Sequence, residues 1–401
     1  MRFGAVRVRL CAMSATFIHA ARALTPLEEI RDAAVAFEDG RISFIGPRAG
    51  FIAPAGAKEI LARDAAVVPG FVDVHVHGAG GHDFMSATEE AMNTVASTIV
   101  RHGTTSAVAT TVTAPPDETR RCLESISRFI LKRANHAHEP IAEIVGIHME
   151  GPFISSVRRG VHPAGAIAKP SVSLLDRYLE AAGVTAKILT LAPEIPGAME
   201  LVERAYAKGL VVALGHTDAT YEQAHNAIFK GARHAVHVFN AMRPFSHRET
   251  GVLGAVLTDP SVTAEIIADG VHVDDPAIRL LLAAKGTDLI LLVSDGTAAT
   301  GMRDGCYRLG TFDVTVTDGI CRNREGKLAG STLTLDRAVQ RMVRLGVPLV
   351  EAVRMATYNP ARRLGIENRK GVLRTGADAD LILLTPDLKV ANVFARGAPL
   401  M

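Results

Sequence analysis

The chain has 401 residues, 48% of them apolar, with a formal net charge of +2. That length suits one large α/β barrel with an accessory module. The near-neutral charge, the absence of Trp and the lack of long like-charge runs speak against a nucleic-acid partner or a membrane surface.

The four cysteines, Cys11, Cys122, Cys306 and Cys321, form neither a CxxC pair nor a disulfide framework, and read as reduced thiols of a cytoplasmic protein. Residues 1–12 carry Arg2, Arg7 and Arg9 without the apolar stretch a signal peptide needs. Met13 is an alternative start, which would make residues 1–12 an extension without a structural role. No apolar run approaches membrane-spanning length.

In chain order, residues up to 68 read as short strands. Ala33–Phe37 and Arg41–Ile45 flank Glu38-Asp39-Gly40, a hairpin turn with Gly where positive φ is needed. The middle alternates β-branched runs at 71–77, 104–110, 142–148, 187–191, 210–214, 233–238, 262–268 and 288–294 with stretches of helical period, such as Glu89–His102, Asp117–Arg133, Leu174–Ala182, Ala198–Lys208 and Tyr221–Lys230. Eight strands alternating with helices predict a (β/α)8 TIM-type barrel. An extra hairpin is expected over 307–323, then helices over 334–345 and 348–357, the second ended by Asn359-Pro360. Gly371-Val372-Leu373 and Asp380–Leu384 read as strands again. The expected architecture is a catalytic barrel over 69–369, with a small β-sandwich module built from residues 1–68 and 370–401.

The chemistry gathers where barrel strands end. In Phe71–Gly78 the period-two alternation of a strand puts Asp73, His75 and His77 on one face, toward the barrel interior. Two imidazoles so spaced can converge on one cation. An isolated His-x-His is as often a chance pair, but this one ends a barrel strand. His148 and Glu150 share a face by the same argument, and Glu150 stands where a barrel-mouth carboxylate can ligate a metal; a surface Glu opening a loop is the blander account. His216 and His237, one strand–helix–strand step apart, can project into the same mouth, whereas His234 is assigned to packing or to hydrogen bonding behind the ligands. Asp295 closes an apolar strand. Buried there, its charge needs a cation, and with one it becomes a candidate general base.

The ordered motifs PGFVDVHVHG (69–78), HMEGPF (148–153), GHT (215–217), HVFNAM (237–242), DGVH (269–272), LVSDG (292–296), LAGS (328–331), ATYNPARRLG (356–365) and GADADL (376–381) resemble the N-acetylglucosamine-6-phosphate deacetylases of the amidohydrolase superfamily, over nearly the whole chain. The resemblance implies hydrolysis of the acetamide of N-acetylglucosamine 6-phosphate to glucosamine 6-phosphate and acetate, in amino-sugar catabolism or cell-wall recycling. Glu150, His216 and His237 match the main metal ligands, and His75 and His77 a second metal position, so one or two divalent ions are implied, Zn foremost, with Fe, Mn or Co as alternatives. Asp295 matches the proton-transfer carboxylate. Asn240, Ala241, Arg248 and His272 match sugar-phosphate contacts, Val161 and His162 a loop touching the sugar, and Leu328, Ala329 and Gly330 a lid. The Arg248 position implies a homodimer, because it reaches the neighbouring subunit's site; Arg243 and His247 stand near it as further candidates. Alternatives are a deacetylase of N-acetylgalactosamine 6-phosphate or of another N-acyl substrate, and, from a different class, a non-catalytic scaffold on the same barrel. A scaffold would be expected to have lost ligands that this chain keeps.

Overall fold

The structure, a computed structural model, describes residues 15–133 and 139–400. The expectations about residues 1–12, Met13 and Cys11 lie outside the described residues.

The first unit is β1 (Thr16–Leu24), β2 (Glu29–Glu38), β3 (Arg41–Pro47) and β4 (Lys58–Pro69). Asp39 and Gly40 both take positive φ, 49° and 75°, so the β2–β3 turn has the twist a tight hairpin requires. A Cβ on Gly40 would also lie 3.0 Å from the Arg396 carbonyl oxygen.

β4 runs straight into the barrel. Its parts are β5 (Phe71–Val76), the two-residue ladder β6 (Gly78–Ala79) and β7 (His82–Asp83), then α1 (Glu89–Ile99), β8 (Thr104–Thr111), α2 (Pro116–Arg133), β9 (Glu143–Glu150), α3 (Val172–Ala182), β10 (Ala186–Leu191), α4 (Ala198–Ala207), β11 (Val211–Leu214), α5 (Tyr221–Phe229), β12 (Ala232–Ala235), α6 (Gly251–Thr258), β13 (Thr263–Ile266), α7 (Asp275–Lys285) and β14 (Ile290–Leu292). The helices carry local start signals. Thr88 caps α1 by accepting from the Ala91 amide, and Thr220 with Gln223 forms a capping box on α5. Strands β5 and β8 to β14 form one parallel sheet in sequence order. It closes on itself because the Asp295 amide donates to the His75 carbonyl (2.9 Å) and the His77 and Gly78 amides donate to Gly296 (2.8 and 2.9 Å). The barrel expected from the sequence is present, and its strands are buried on both faces, as a closed parallel sheet under a ring of helices demands.

After the barrel come β15 (Gly305–Leu309), β16 (Phe312–Thr317) and β17 (Ile320–Asn323), then α8 (Leu335–Arg344), α9 (Leu349–Ala356), α10 (Tyr358–Arg363), β18 (Leu381–Leu384), β19 (Val390–Ala395) and β20 (Ala398–Pro399). The predicted hairpin at 307–323 is a three-stranded antiparallel sheet. Pro360 does not end α9. The break falls at Thr357 (φ −130°, ψ −80°), and Pro360 sits in the first turn of α10, where its missing N–H costs nothing. Residues 371–373 are buried, Val372 and Leu373 within the core of the terminal β-module, but they form no strand.

The terminal strands form one seven-stranded sheet, ordered β20-β19-β18-β4-β1-β2-β3. It folds over itself. Phe37 of β2 and Phe394 of β19, far apart in strand order, meet with ring centroids 5.4 Å apart, around a core with Ile18, Val35, Ile42 and Leu381. This is the two-ended β-module predicted from the sequence. It is clamped to the barrel floor by Lys370, whose buried ammonium meets Glu143 (2.8 Å), Asp378 (2.8 Å) and Asp380 (2.7 Å).

Candidate active site and metal centre

Five imidazoles and two carboxylates converge at the C-terminal mouth of the barrel. Glu150, the last residue of β9, is the hub. Its Oε1 lies 3.1 Å from His216 Nε2, 3.1 Å from His237 Nε2 and 3.3 Å from His75 Nε2. Its Oε2 lies 3.4 Å from His77 Nε2 and 3.3 Å from His162 Nε2. Asp295 Oδ1 is 3.2 Å from His77 Nε2 and 3.7 Å from His75 Nε2. Burial alone would push Glu150 up, but the charges of His75 and His216 and the hydrogen bonds from His162 and His216 hold it well below the usual carboxylate range. Burial likewise pushes Asp295 up, and the hydrogen bond from His77 with the neighbouring imidazole charges brings it below its ordinary value.

The groups behind the imidazoles fix which ring nitrogen faces inward. His75 Nδ1 lies 2.8 Å from Glu265 Oε2 and His216 Nδ1 lies 3.1 Å from the Arg158 carbonyl oxygen. Both acceptors are oxygens without protons to give, so each Nδ1 donates and, in the neutral ring a metal would bind, each Nε2 presents a lone pair to the centre. His75 Nε2 is buried there without a hydrogen-bond partner, and the His216 and His237 Nε2 atoms face one another at 3.1 Å. Lone pairs from several imidazoles aimed at one carboxylate are poor hydrogen-bond partners and good cation ligands, so the donor set fits a divalent metal of the kind that takes nitrogen and oxygen ligands. His162 differs. Its Nδ1 accepts from the Thr113 amide (3.2 Å), so its proton sits on Nε2 and points toward Glu150 and the cavity.

Local backbone form explains how residues beyond the strands turn inward. His216, His237 and Asp295 adopt positive φ (48°, 28° and 48°), as does Ala241 (50°). Such conformations cost on the order of 1–3 kcal/mol each in non-glycine residues and persist where the surroundings impose them. The period-two argument holds for His75 and Glu150, which lie in strands. It extends to His77, the residue directly after β5, whose ring joins the same cluster, but does not reach His216, His237 or Asp295, which lie past the ends of their strands with positive φ.

Glu265 was not singled out by the sequence. It is fully buried in β13 and joins His75 Nδ1 to His234 Nε2 (2.8 Å each), while also accepting the His237 amide (3.2 Å). The signal was a lone carboxylate within the apolar run Val262–Ala268. Asp73 also points inward, as expected, but clasps the barrel seam by accepting the Ser294 hydroxyl at 2.5 Å; burial raises its carboxyl to about 7. Thr113 and Glu194 were missed for want of a motif; Glu194 accepts from Thr217 Oγ1 (2.6 Å) and the Asp218 amide (2.7 Å), just beyond His216.

A cavity of about 220 Å³ opens above the hub, lined among others by Val161, His162, Asn240, Ala241, His272, Leu328 and Gly330. Asn240 Nδ2 is buried without a partner, and His272 is held by Asp269 (2.7 Å). Ala329 is buried beside the lining, its amide donating to Cys321. Arg248 is exposed on the loop after Met242 and does not line this cavity; His247 is exposed beside it, and Arg243 is occupied by Asp218 and Glu249. No Lys or Arg side chain among the described residues lines the cavity.

The comparisons agree with this geometry. The model of the Amidohydrolase family matches residues 66–400. The chain is 35% identical to the N-acetylglucosamine-6-phosphate deacetylase of Lysinibacillus sphaericus, over 90% of this chain and 91% of that one. It is also 35% identical to the N-acetylgalactosamine-6-phosphate deacetylase of Escherichia coli O157:H7, over 95% and 98%. The structure of the N-acetyl-D-glucosamine-6-phosphate deacetylase of Mycobacterium smegmatis superposes with a TM-score of 0.88 at 36% identity, covering 96% of this chain and 100% of that one. The chain therefore belongs to the amidohydrolase family, and within it to the N-acetylglucosamine-6-phosphate deacetylases.

Proposed function

We propose that the protein hydrolyses the acetamide of N-acetylglucosamine 6-phosphate, releasing acetate and glucosamine 6-phosphate. The observation that carries this reading is the convergence of Glu150, His216, His237, His75, His77 and Asp295 beneath one cavity, in a chain whose relatives perform that reaction. Residues 69–369 form the catalytic unit in this reading, and 1–68 with 370–401 the accessory module.

Glu150, His216 and His237 would hold the main divalent ion, with His75 and His77 offering a second position; zinc suits nitrogen and carboxylate ligands best, and Fe, Mn or Co are the alternatives. When bound, the ion supplies Lewis acidity to the amide carbonyl and acidifies a water. Asp295 takes the proton released as water attacks the carbonyl carbon. It returns that proton to the amide nitrogen as the C–N bond breaks, so one carboxylate serves both halves of the reaction. The His162 Nε2–H donates to the carbonyl oxygen as negative charge grows there. Asn240, Ala241, His272 and Val161 orient the sugar, and Leu328, Ala329 and Gly330 close over it and exclude water.

The cavity has no cation of its own for a phosphate, whereas Arg248 stands exposed on a loop beside the site. This supports a homodimer in which each Arg248 completes the partner's site, with planar donors matched to a phosphate. Among the described residues no helix is long and apolar enough to cross a membrane; a cytoplasmic enzyme, working on neither nucleic acid nor lipid, fits the scattered cysteines and balanced charge.

The test is an acetate-release assay on both N-acetylhexosamine 6-phosphates, with and without chelator, alongside metal quantification. Turnover of the glucosamine form that chelator abolishes is expected. Preference for the galactosamine form would shift the substrate to that of the Escherichia coli relative, and metal-free protein without turnover on either would favour a scaffold.

A further inference from the structure

A second cleft, with a cavity of about 940 Å³, lies at the other end of the barrel, where β10 and β11 begin. Its walls are the C-terminal ends of α3, α4 and α10. Five cationic side chains line it, Lys187, Arg204, Lys208, Arg362 and Arg363, against the acids Asp176 and Glu180. Arg204 and Asp176 neutralise one another through two hydrogen bonds of 2.9 Å. The remaining balance is four cations to one carboxylate. Among the described residues Lys187, Lys208 and Arg363 make no ion pair.

Basic residues in the last turn of a helix complement its dipole, and this accounts for the exposed Lys208 and Arg362. It does not account for Lys187, which opens a strand. Arg363 also ends a helix, α10, but the dipole does not account for its burial: it is half-buried, with an Nε that is sealed from solvent and has no hydrogen-bond partner. Its charged neighbours, Arg362 and Arg233, are positive as well, and burial together with their repulsion lowers its pKa to about 10. A guanidinium desolvated among like charges is costly unless an anion joins it.

We infer that this cleft is a second binding site, for a small molecule bearing a phosphate group, gripped by Arg363, Lys187 and Lys208. The guanidinium supplies fixed planar donors and the two ammonium groups supply mobile charge. The site is independent of the reading of the barrel mouth. It touches the same elements, however: β10 pairs with β9, which ends in Glu150, and β11 ends two residues before His216.

The experiment follows thermal unfolding of the metal-loaded full chain in phosphate-free buffer, titrated with inorganic phosphate or with glucose 6-phosphate, which has no amide to cleave. Both should raise Tm to a plateau, and a larger rise with the sugar phosphate would show that the cleft recognises more than the anion. The rise should persist in Asn240→Ala, altered in the barrel mouth, and vanish in Lys187→Gln/Lys208→Gln, whose changes lie at accessible positions. Arg363→Met should unfold at a higher temperature than the parent without phosphate, because an uncompensated charge is gone, and should not respond to phosphate. An absent response in the parent, an unchanged response in the double lysine variant, loss of the response in Asn240→Ala, or a lowered phosphate-free Tm in Arg363→Met would each overturn the assignment.

Discussion

Asp295 and Glu265 show how two buried carboxylates in one barrel take different work. Asp295 faces the cavity and the ring of His77; Glu265 is sealed behind the histidines and touches only their outward nitrogens and the His237 amide. Replacing Asp295 by Asn keeps the shape but removes the proton acceptor. Turnover should fall by roughly 10²–10⁴-fold while metal content stays at the parent level; an Asn variant that turns over normally would remove Asp295 from the reaction. Glu265→Gln should act through the metal instead. His75 loses a charged partner for its Nδ1–H, so metal affinity should drop by about 10–100-fold, read by competition with a chelator, and excess metal should restore most of the activity. A Gln variant that binds metal as tightly as the parent would show that Glu265 serves packing alone.

At the scale of elements, turns matter more than strands. His216 and His237, proposed to hold the metal, and Asp295, proposed to carry the proton, all sit just past strand ends with positive φ, so the loops do the aiming. The loop around Gly330, proposed to close over the substrate, is built under the same constraint. Gly330 has φ +58°, and a Cβ there would lie 2.6 Å from Thr297 Cγ2 and 2.8 Å from the Asp295 carbonyl oxygen. Gly330→Ala should therefore shift Asp295 and lower kcat by about tenfold or more, for a strain of at least about 1.4 kcal/mol. Steady-state kinetics together with Tm would check this, and unaltered kcat would mean that the lid yields without moving Asp295.

For the whole molecule, two features lie outside the barrel-mouth cavity. The β-module is tied to the barrel through Lys370, Glu143, Asp378 and Asp380. Burial pushes Glu143 up, yet Lys370 and Arg369 beside it hold its pKa well below the unfolded 4.5. Its stabilisation is thus complete above that value and is lost as pH falls toward the folded pKa. Burial pushes Lys370 down, but its three carboxylates raise it above the unfolded 10.5, so its stabilisation is complete below that value and is lost as pH rises through the folded pKa. Tm should decline on both sides of this plateau, and Glu143→Gln should flatten part of the acid limb. Lys370→Met leaves Asp380 without its cation and takes one of several cations from Glu143 and Asp378, and should cost about 3–5 kcal/mol; a Tm equal to the parent's would show that the cluster does not hold the units together. The second feature is Arg248. Its replacement by Ala should reduce kcat/KM for the phosphorylated sugar far more than for N-acetylglucosamine itself, and equal losses on both would remove the phosphate role.

Much of this was legible in the chain. Apolar runs of strand length separated by helical periods are enough to specify a closed parallel barrel, because each run can be buried only between helices outside and side chains inside. His75 and Glu150 could be placed on interior faces because a strand's period is fixed by its covalent geometry. What local rules could not reach was decided by tertiary packing: the inward turn of His216, His237 and Asp295, the bond from Glu265 to His75 across 190 residues, and the absence of a strand at 371–373. The positive φ of His216, His237 and Asp295, and hydrogen bonds between strands distant in sequence, exist because the surrounding fold makes them cheaper than the local alternative.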